Sequence, residues 1–413
     1  MPDSPGEPVD GDGAPTAPPL PGSAPRLTGI DVARSFALFG MMATHVLLGA
    51  GSDDGAMGAV HQIAGGRAAA LFAVLAGVGL ALASGGERPT PRRIARARHV
   101  TLVRSGALVA LGLTLGLADT PVAIILAYYG VLFLVAVPVL AWPARRLAAA
   151  AVICAVVTPA VSHWLRGAGG LDEASGENLS WATLFPLVPA VRHLLLTGYY
   201  PVLTWTTYLF AGLAVGRLAL RSPRVAAAVA ATGAALAAGS WLVSVAAVHL
   251  AGGFGSLVTE GLLPRYSADG RTPNDGFYGT TPVNDPWWLL VRVAHSGSIT
   301  DLVHTVGTSL LVLGLTLLAV HALTRRKPVP ALVRVPLRML AAAGSMTLTL
   351  YCVHVLAVGV NTGALREPIV PAWPYLVLNV VGAIIIALLW GAPRRRGPLE
   401  EAIVSMAGVA ARG

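Results

Sequence analysis

The chain of 413 residues is 55% hydrophobic and only 12% charged, against roughly 25% charged residues in an average soluble domain, and its mean hydropathy is +0.68. This composition excludes an ordinary soluble enzyme and predicts an all-α, polytopic membrane helix bundle. The net charge of +9 would suit nucleic acid, but the arginines fall in short connections between apolar runs, the distribution that orients membrane proteins, so no nucleic-acid partner is expected.

In chain order, residues 1–25 are rich in Pro and Gly and almost lack large apolar side chains. They cannot offset the entropy of ordering and predict a disordered tail, without the basic start and apolar core of a cleavable signal peptide. Apolar windows then predict about ten transmembrane helices near 30–50, 68–84, 100–117, 121–141, 146–165, 198–220, 225–249, 301–323, 338–360 and 373–392. The loops "GGERPTPRRIARARH" (85–99), "PARR" (143–146), "RLALRSPR" (217–224), "TRRKPVPALVRVPLR" (324–338) and "PRRR" (393–396) are basic and mark the cytoplasmic face. The intervening connections hold Asp53, Asp54, Asp172, Glu173, Glu177, Glu260, Asp269, Asp275 and Asp285. Both termini are therefore expected in the cytoplasm, with 26–392 as the membrane domain and 393–413 as a basic cytoplasmic segment. Two outer connections, about 166–197 and 250–300, are long and aromatic, as ordered interfacial segments or an ordinary aromatic belt would be. Cys154 and Cys352 both lie in apolar runs, which leaves no disulfide framework or paired-cysteine metal site.

The first window, "DVARSFALFGMMATH", carries the clearest chemical signal. Arg34 and His45 are eleven residues apart, three turns of helix, so their side chains leave on nearly one face about 16 Å apart along the axis. Asp31 precedes Arg34 by three residues and can pair with it. Ionisable groups in a span face a bundle interior or a cavity because burial in lipid is costly, so this stripe is expected to face inward, with Arg34 toward the cytoplasm and His45 toward the outer half. His61 and Arg67 follow in or beside the short connection after helix one.

These residues resemble a known group. "RLTGIDVARSFALFGMMATHV" is similar to the first-helix signature of the transmembrane acyltransferase superfamily, in which an Asp-x-x-Arg pair is followed eleven residues after the arginine by a histidine, as in its acyltransferase family three branch. The stretches "HQIAGGRAAALFAVLAGVGLALASG" (61–85), "GYYPVLTWTTYLFAGLAVGR" (198–217), "HSGSITDLVHTVG" (295–307) and "LTLYCVHVL" (348–356) resemble, in order, the heparan-alpha-glucosaminide N-acetyltransferase-like branch and its YeiB-like bacterial relatives. The resemblance spans about 26–392. It implies a multi-pass enzyme, in a bacterial plasma membrane, that moves an acyl group, usually acetyl from cytosolic acetyl-CoA, to a hydroxyl or amine of a glycan or lipid-linked acceptor at the outer face, and that can form homo-oligomers among its membrane lipids. In the eukaryotic acetyltransferases an asparagine corresponds to His45, and their outer catalytic histidine corresponds best to His61. Both histidines are therefore candidates for the base, with His45 favoured, and Asp31, Arg34 and Arg67 for donor binding.

A neutral histidine suits an acyl transfer to a weak nucleophile, either as general base or as a transient acyl carrier. Arg67, Tyr200 and Ser296 are candidate donors to the thioester oxyanion. Tyr199, Tyr200 and Trp205 stand where an acceptor sugar would stack or where an aromatic belt would lie. Ser298 or Thr300 is expected to cap the helix that follows. Asp301 can hold His304, His295 lies just before that helix, and Tyr351 and His354 share one face of a later span as a supporting pair or as satisfied bundle residues. Scattered histidines without HExxH or paired-cysteine spacing predict no metal. A transporter or lipid flippase is the alternative class; coupled transporters commonly bury acidic groups mid-span and show inverted repeats, and this chain has almost no central Asp or Glu. A non-catalytic scaffold is the third.

Overall fold

The computed structural model describes residues 27–47, 55–171, 176–253, 277, 279–325, 328–362, 368–391 and 396–410. The tail 1–25 and the acidic residues Asp53, Asp54, Asp172, Glu173, Glu260, Asp269 and Asp275 lie outside them. Secondary structure among the described residues is helical, without strands. The helices are α1 (Thr28–Leu47), α2 (Gly55–Ala64), α3 (Arg67–Ala83), α4 (Pro91–Leu115), α5 (Leu126–Val139), α6 (Ala144–Ala168), α7 (Leu187–Arg192), α8 (Val202–Gly216), α9 (Pro223–Val245), α10 (Ile299–Thr324), α11 (Ala331–Ser345), α12 (Thr347–Thr362), α13 (Ala372–Gly391) and α14 (Pro398–Ala410). Each of the ten apolar windows falls on a helix. Six stretches are long and apolar enough to cross a bilayer alone, α2 and α3 contributing one of them from Gly58 to Ala83.

The window 338–360 departs from a simple span. It falls on two helices, α11 and α12, that meet at 78°. Gly344 explains the geometry, because a Cβ there would stand 1.7 Å from the Asp31 carbonyl oxygen of α1. The first turn of α12 has no intrahelical acceptor for its N–H groups. Glu400 of α14 supplies one, its carboxylate accepting from Leu348 N at 2.8 Å, Thr349 N at 3.4 Å and Thr349 Oγ1 at 2.6 Å. The C-terminal segment is thereby tied into the bundle through a helix whose Ile403 and Ala407 are buried.

Apolar side chains gain little from leaving lipid for a protein interior, so membrane helices associate by close packing and internal hydrogen bonds. The seam between α9 and α10 follows that rule. A Cβ on Gly233 would stand 2.3 Å from Leu311 N, one on Gly307 2.5 Å from Ala237 N, and one on Gly314 2.6 Å from Ala230 N. On α9 the small residues Ala226, Ala230, Gly233 and Ala237 recur every three or four positions, which aligns them on one face.

Arg217, at the end of α8, closes the opposite problem, that of unpaired helix C-terminal carbonyls. Its guanidinium donates to Ala81 O at 3.1 Å, Gly86 O at 2.9 Å, Ser84 Oγ at 2.9 Å and Leu140 O, joining the ends of α3, α5 and α8. Each buried acceptor left unpaired costs about 1–3 kcal/mol. Arg217→Met should therefore lower stability by about 3 kcal/mol or more, read as thermal unfolding of the purified protein, and Arg217→Lys should recover only part of the loss because an ammonium cannot span the same fork of acceptors.

Candidate active site

The Asp31 and Arg34 side chains pair on α1, with Nη1 to Oδ1 at 3.1 Å. Arg34 is turned toward α3, since its Nη2 lies 3.1 Å from where a Cβ on Gly79 would stand. Leu38 and Met41, between Arg34 and His45, are buried. At the far end of the stripe His45 Nδ1 lies 3.1 Å from Nε2 of His354 on α12. The two rings are nearly parallel, 12° apart in plane with centroids 5.3 Å apart. His354 Nδ1 in turn meets Asn379 Oδ1 of α13 at 2.9 Å, and Asn379 Nδ2 donates to Tyr375 O at 2.9 Å. The stripe therefore faces the bundle, as the spacing predicts.

His45 opens onto a cavity of about 840 Å³ whose walls include His61, His295, Tyr199, Tyr200 and Tyr375. Its charged lining is acidic, Asp119 and Glu177, with no lysine or arginine among the described residues. His61 comes from α2 and His295 from the connection before α10, so three separate elements aim imidazoles at one space. That connection is built from short hydrogen bonds. Phe277 N donates to Ala294 O at 3.0 Å and Gly279 N to His295 O at 2.9 Å, while Asp285 caps the 3₁₀ turn Pro286–Leu290 and Ser298 caps α10. His295 has φ +56°, a left-handed conformation costly for a residue with a Cβ and typical of strained functional sites. Gly66 lets the backbone of the loop close over α3, its Cβ position being 3.3 Å from His295 N.

The remaining candidates fall around this centre. Tyr200 lines the cavity, and its hydroxyl donates to Ala123 O at 3.3 Å. Trp205 packs edge-on behind it, with ring centroids 4.9 Å apart, and against Tyr208 at 5.0 Å; it supports the tyrosine from behind. Tyr351 bonds Ala123 O and Ile125 N, fixing the extended approach to α5. Arg67 begins α3, twelve residues before Gly79 and so about 18 Å from the Arg34 level. It bonds His304 Nε2 at 3.2 Å and Gln62 O, which places the three residues expected on the donor route at two levels. His304 bridges Arg67 and Ala237 O (3.0 Å), and Asp301 accepts from Gly297 N at 3.3 Å. Ser296 is consumed within the loop by Ser298. Among the described residues no group of three or more His, Cys, Asp or Glu is placed to hold a metal ion.

Asn379 is the residue that sequence reasoning missed. Its signal was available, since a lone amide within "PYLVLNVVGAIII" must find a partner inside the bundle, but the partner is 25 residues away in sequence.

A family model described as heparan-alpha-glucosaminide N-acetyltransferase, catalytic, matches residues 26–250. The chain belongs to this family. It is a membrane enzyme of acetyltransferase type, in agreement with the resemblance of the stretches 61–85 and 198–217 to this branch. No curated relative matches the chain. The matched stretch of the acetyltransferase family runs from α1 through α9 and contains His45, His61, Arg67, Tyr200 and Trp205, whereas His295, His304, His354 and Asn379 lie beyond it.

Burial, and then the neighbouring His61, pull the His295 imidazole down to about 4. An unfolded imidazole titrates near about 6.5, so between these values the unfolded chain binds more protons and stability rises with pH. Thermal stability should accordingly fall as pH drops from about 6.5 toward 4. In His295→Gln that part of the pH dependence should disappear, as measured by melting curves of both proteins across the range.

Proposed function

We propose that this membrane acetyltransferase takes an acyl group, acetyl in the first instance, from a cytosolic acyl-CoA and transfers it to an amine or hydroxyl of a glycan or lipid-linked acceptor at the opposite face, with His45 as the base. The observation that carries the reading is the position of His45. It lies on the first helix, one face with Arg34, at the wall of a cavity that His61 and His295 also line.

The charge rule applied to the basic loops supports a cytoplasmic position for the Arg34 end. The donor then enters beside Asp31 and Arg34, and its thioester reaches the level of His45. A cavity of about 840 Å³ falls within the roughly 300–1,000 Å³ of ordinary ligand sites and suits the acyl end of the donor together with one sugar-sized acceptor. Tyr199 and Tyr200 offer stacking surface. Of the three expected oxyanion donors, Tyr200 is the one that lines the cavity. The acidic lining, without lysine or arginine among the described residues, favours a neutral or cationic acceptor over an anionic one. His61 lines the same cavity and is the second candidate to receive or hand on the acceptor proton.

In lipid nanodiscs, acetyl-CoA with a glucosaminide as acceptor should release free CoA thiol and acetylated product. His45→Ala should lower kcat by about 10²–10⁴, measured well below the variant's own melting temperature, which the unpaired His354 Nε2 lowers. Unchanged turnover in that variant rejects His45 as the base.

A further inference from the structure

We infer that Asn379 and His354 are positioning residues that hold His45 in its Nδ1–H form, so that Nε2 is the basic nitrogen presented to the cavity. The inference deepens the acyl-transfer reading and rests on it.

The argument begins at the protein backbone, where the donor and acceptor roles are fixed. The carbonyl of Tyr375 can only accept, so the Asn379 atom 2.9 Å from it is the amide NH₂. The other end of that amide is therefore the carbonyl oxygen, and it meets His354 Nδ1 at 2.9 Å. An oxygen acceptor requires that Nδ1 carry hydrogen. A neutral imidazole holds one N–H, so His354 Nε2 is a bare acceptor. At 3.1 Å from it, His45 Nδ1 must be the donor, and the lone pair of a neutral His45 resides on Nε2. One backbone carbonyl on α13 thus sets, through three side chains, which nitrogen of α1 is basic.

The chain of partners is uncharged. The titratable groups around it are His61 from α2, His295 from the preceding loop, Tyr200, and Tyr375 from α13, with Asp119 and Glu177 at the cavity rim; on α12 itself Tyr351 and Cys352 precede His354 by three and two residues. An amide at the end of the relay orients the imidazoles without lending them a full negative charge, which differs from a carboxylate that would favour the protonated form.

In the transfer step the acceptor oxygen or nitrogen bonds to the thioester carbonyl carbon and its proton passes to His45 Nε2. The carbon–sulfur bond then breaks, and the same proton passes to the departing thiolate, giving the acylated acceptor and free CoA thiol. While His45 is protonated, its Nδ1–H remains directed at His354 Nε2, so the ring needs no reorientation between the two proton transfers.

Two measurements test this. The acid limb of kcat/KM, which reports loss of neutral His45, should move up by about one pH unit or more in Asn379→Asp, because an opposite charge near the ring favours imidazolium; the KM for acetyl-CoA should stay unchanged. ¹⁵N-histidine spectra of the full chain in nanodiscs should show, beside the Nδ1–H of His304 that Ala237 O requires, two further Nδ1–H imidazoles that are lost in Asn379→Leu, the variant whose kcat should fall at least tenfold. An unmoved acid limb, or a wild-type protein that turns over without the two Asn379-dependent Nδ1–H signals, overturns the relay and leaves acyl transfer standing. The same two Asn379-dependent signals in a protein that releases no CoA thiol overturn the acyl-transfer reading, and the catalytic role of the relay with it.

Discussion

The hydrogen bond between His45 and His354 joins the first helix to α12, the second of two helices that meet at 78°, and the arrangement of the site depends on it. An imidazole in a bilayer has no water to turn to, so each ring nitrogen must be met from within the bundle or open onto a cavity. His45 does both. One nitrogen is held by α12, and the ring borders the space shared with His61 and His295. The break between α11 and α12 allows this, since α12 starts deep enough for its second turn to reach His45. The close contact of Gly344 with α1 and the carboxylate of Glu400 at the start of α12 hold the break in place.

The molecule is organised in two levels along α1. At one end Asp31 and Arg34 pair against α3, and at the other the histidines gather around a cavity with an acidic rim. Between them Leu38 and Met41 are packed. The family match ends at residue 250, yet His295, His354 and Asn379 complete the centre from the part that follows. The walls of the cavity are thus contributed by both regions of the chain and the partners of His45 by the later one.

Strain and satisfaction occur side by side near the cavity. His295 keeps a left-handed backbone because the loop around it is over-determined by its bonds to residues 277 and 279 and by the Ser298 cap. Arg67 and His304, singled out by their place in sequence, are bonded to each other and to backbone carbonyls, so they secure the ends of α3, α9 and α10 beside the site. Trp205 similarly braces Tyr200.

Much of this was legible in the sequence. Apolar windows located the helices because hydropathy and length report directly on the cost of exposing peptide groups to lipid. The eleven-residue interval from Arg34 to His45 gave a shared face because helical periodicity is local. The stop at Met346 was hidden, since α11 and α12 are both apolar and the 78° turn comes from contacts with α1 and α14. Asn379 was hidden for the same reason. A lone amide in an apolar run announces that it needs a partner, but only packing decides that the partner is His354, and only the carbonyl of Tyr375 decides which way the amide points. The sequence by itself determined a membrane bundle, its ten helical stretches and the inward stripe on the first of them, because these follow from periodicity and solvation within a single segment. The tertiary structure alone decided which histidines meet and what each of them bonds, because those contacts bring together atoms from α1, α12 and α13.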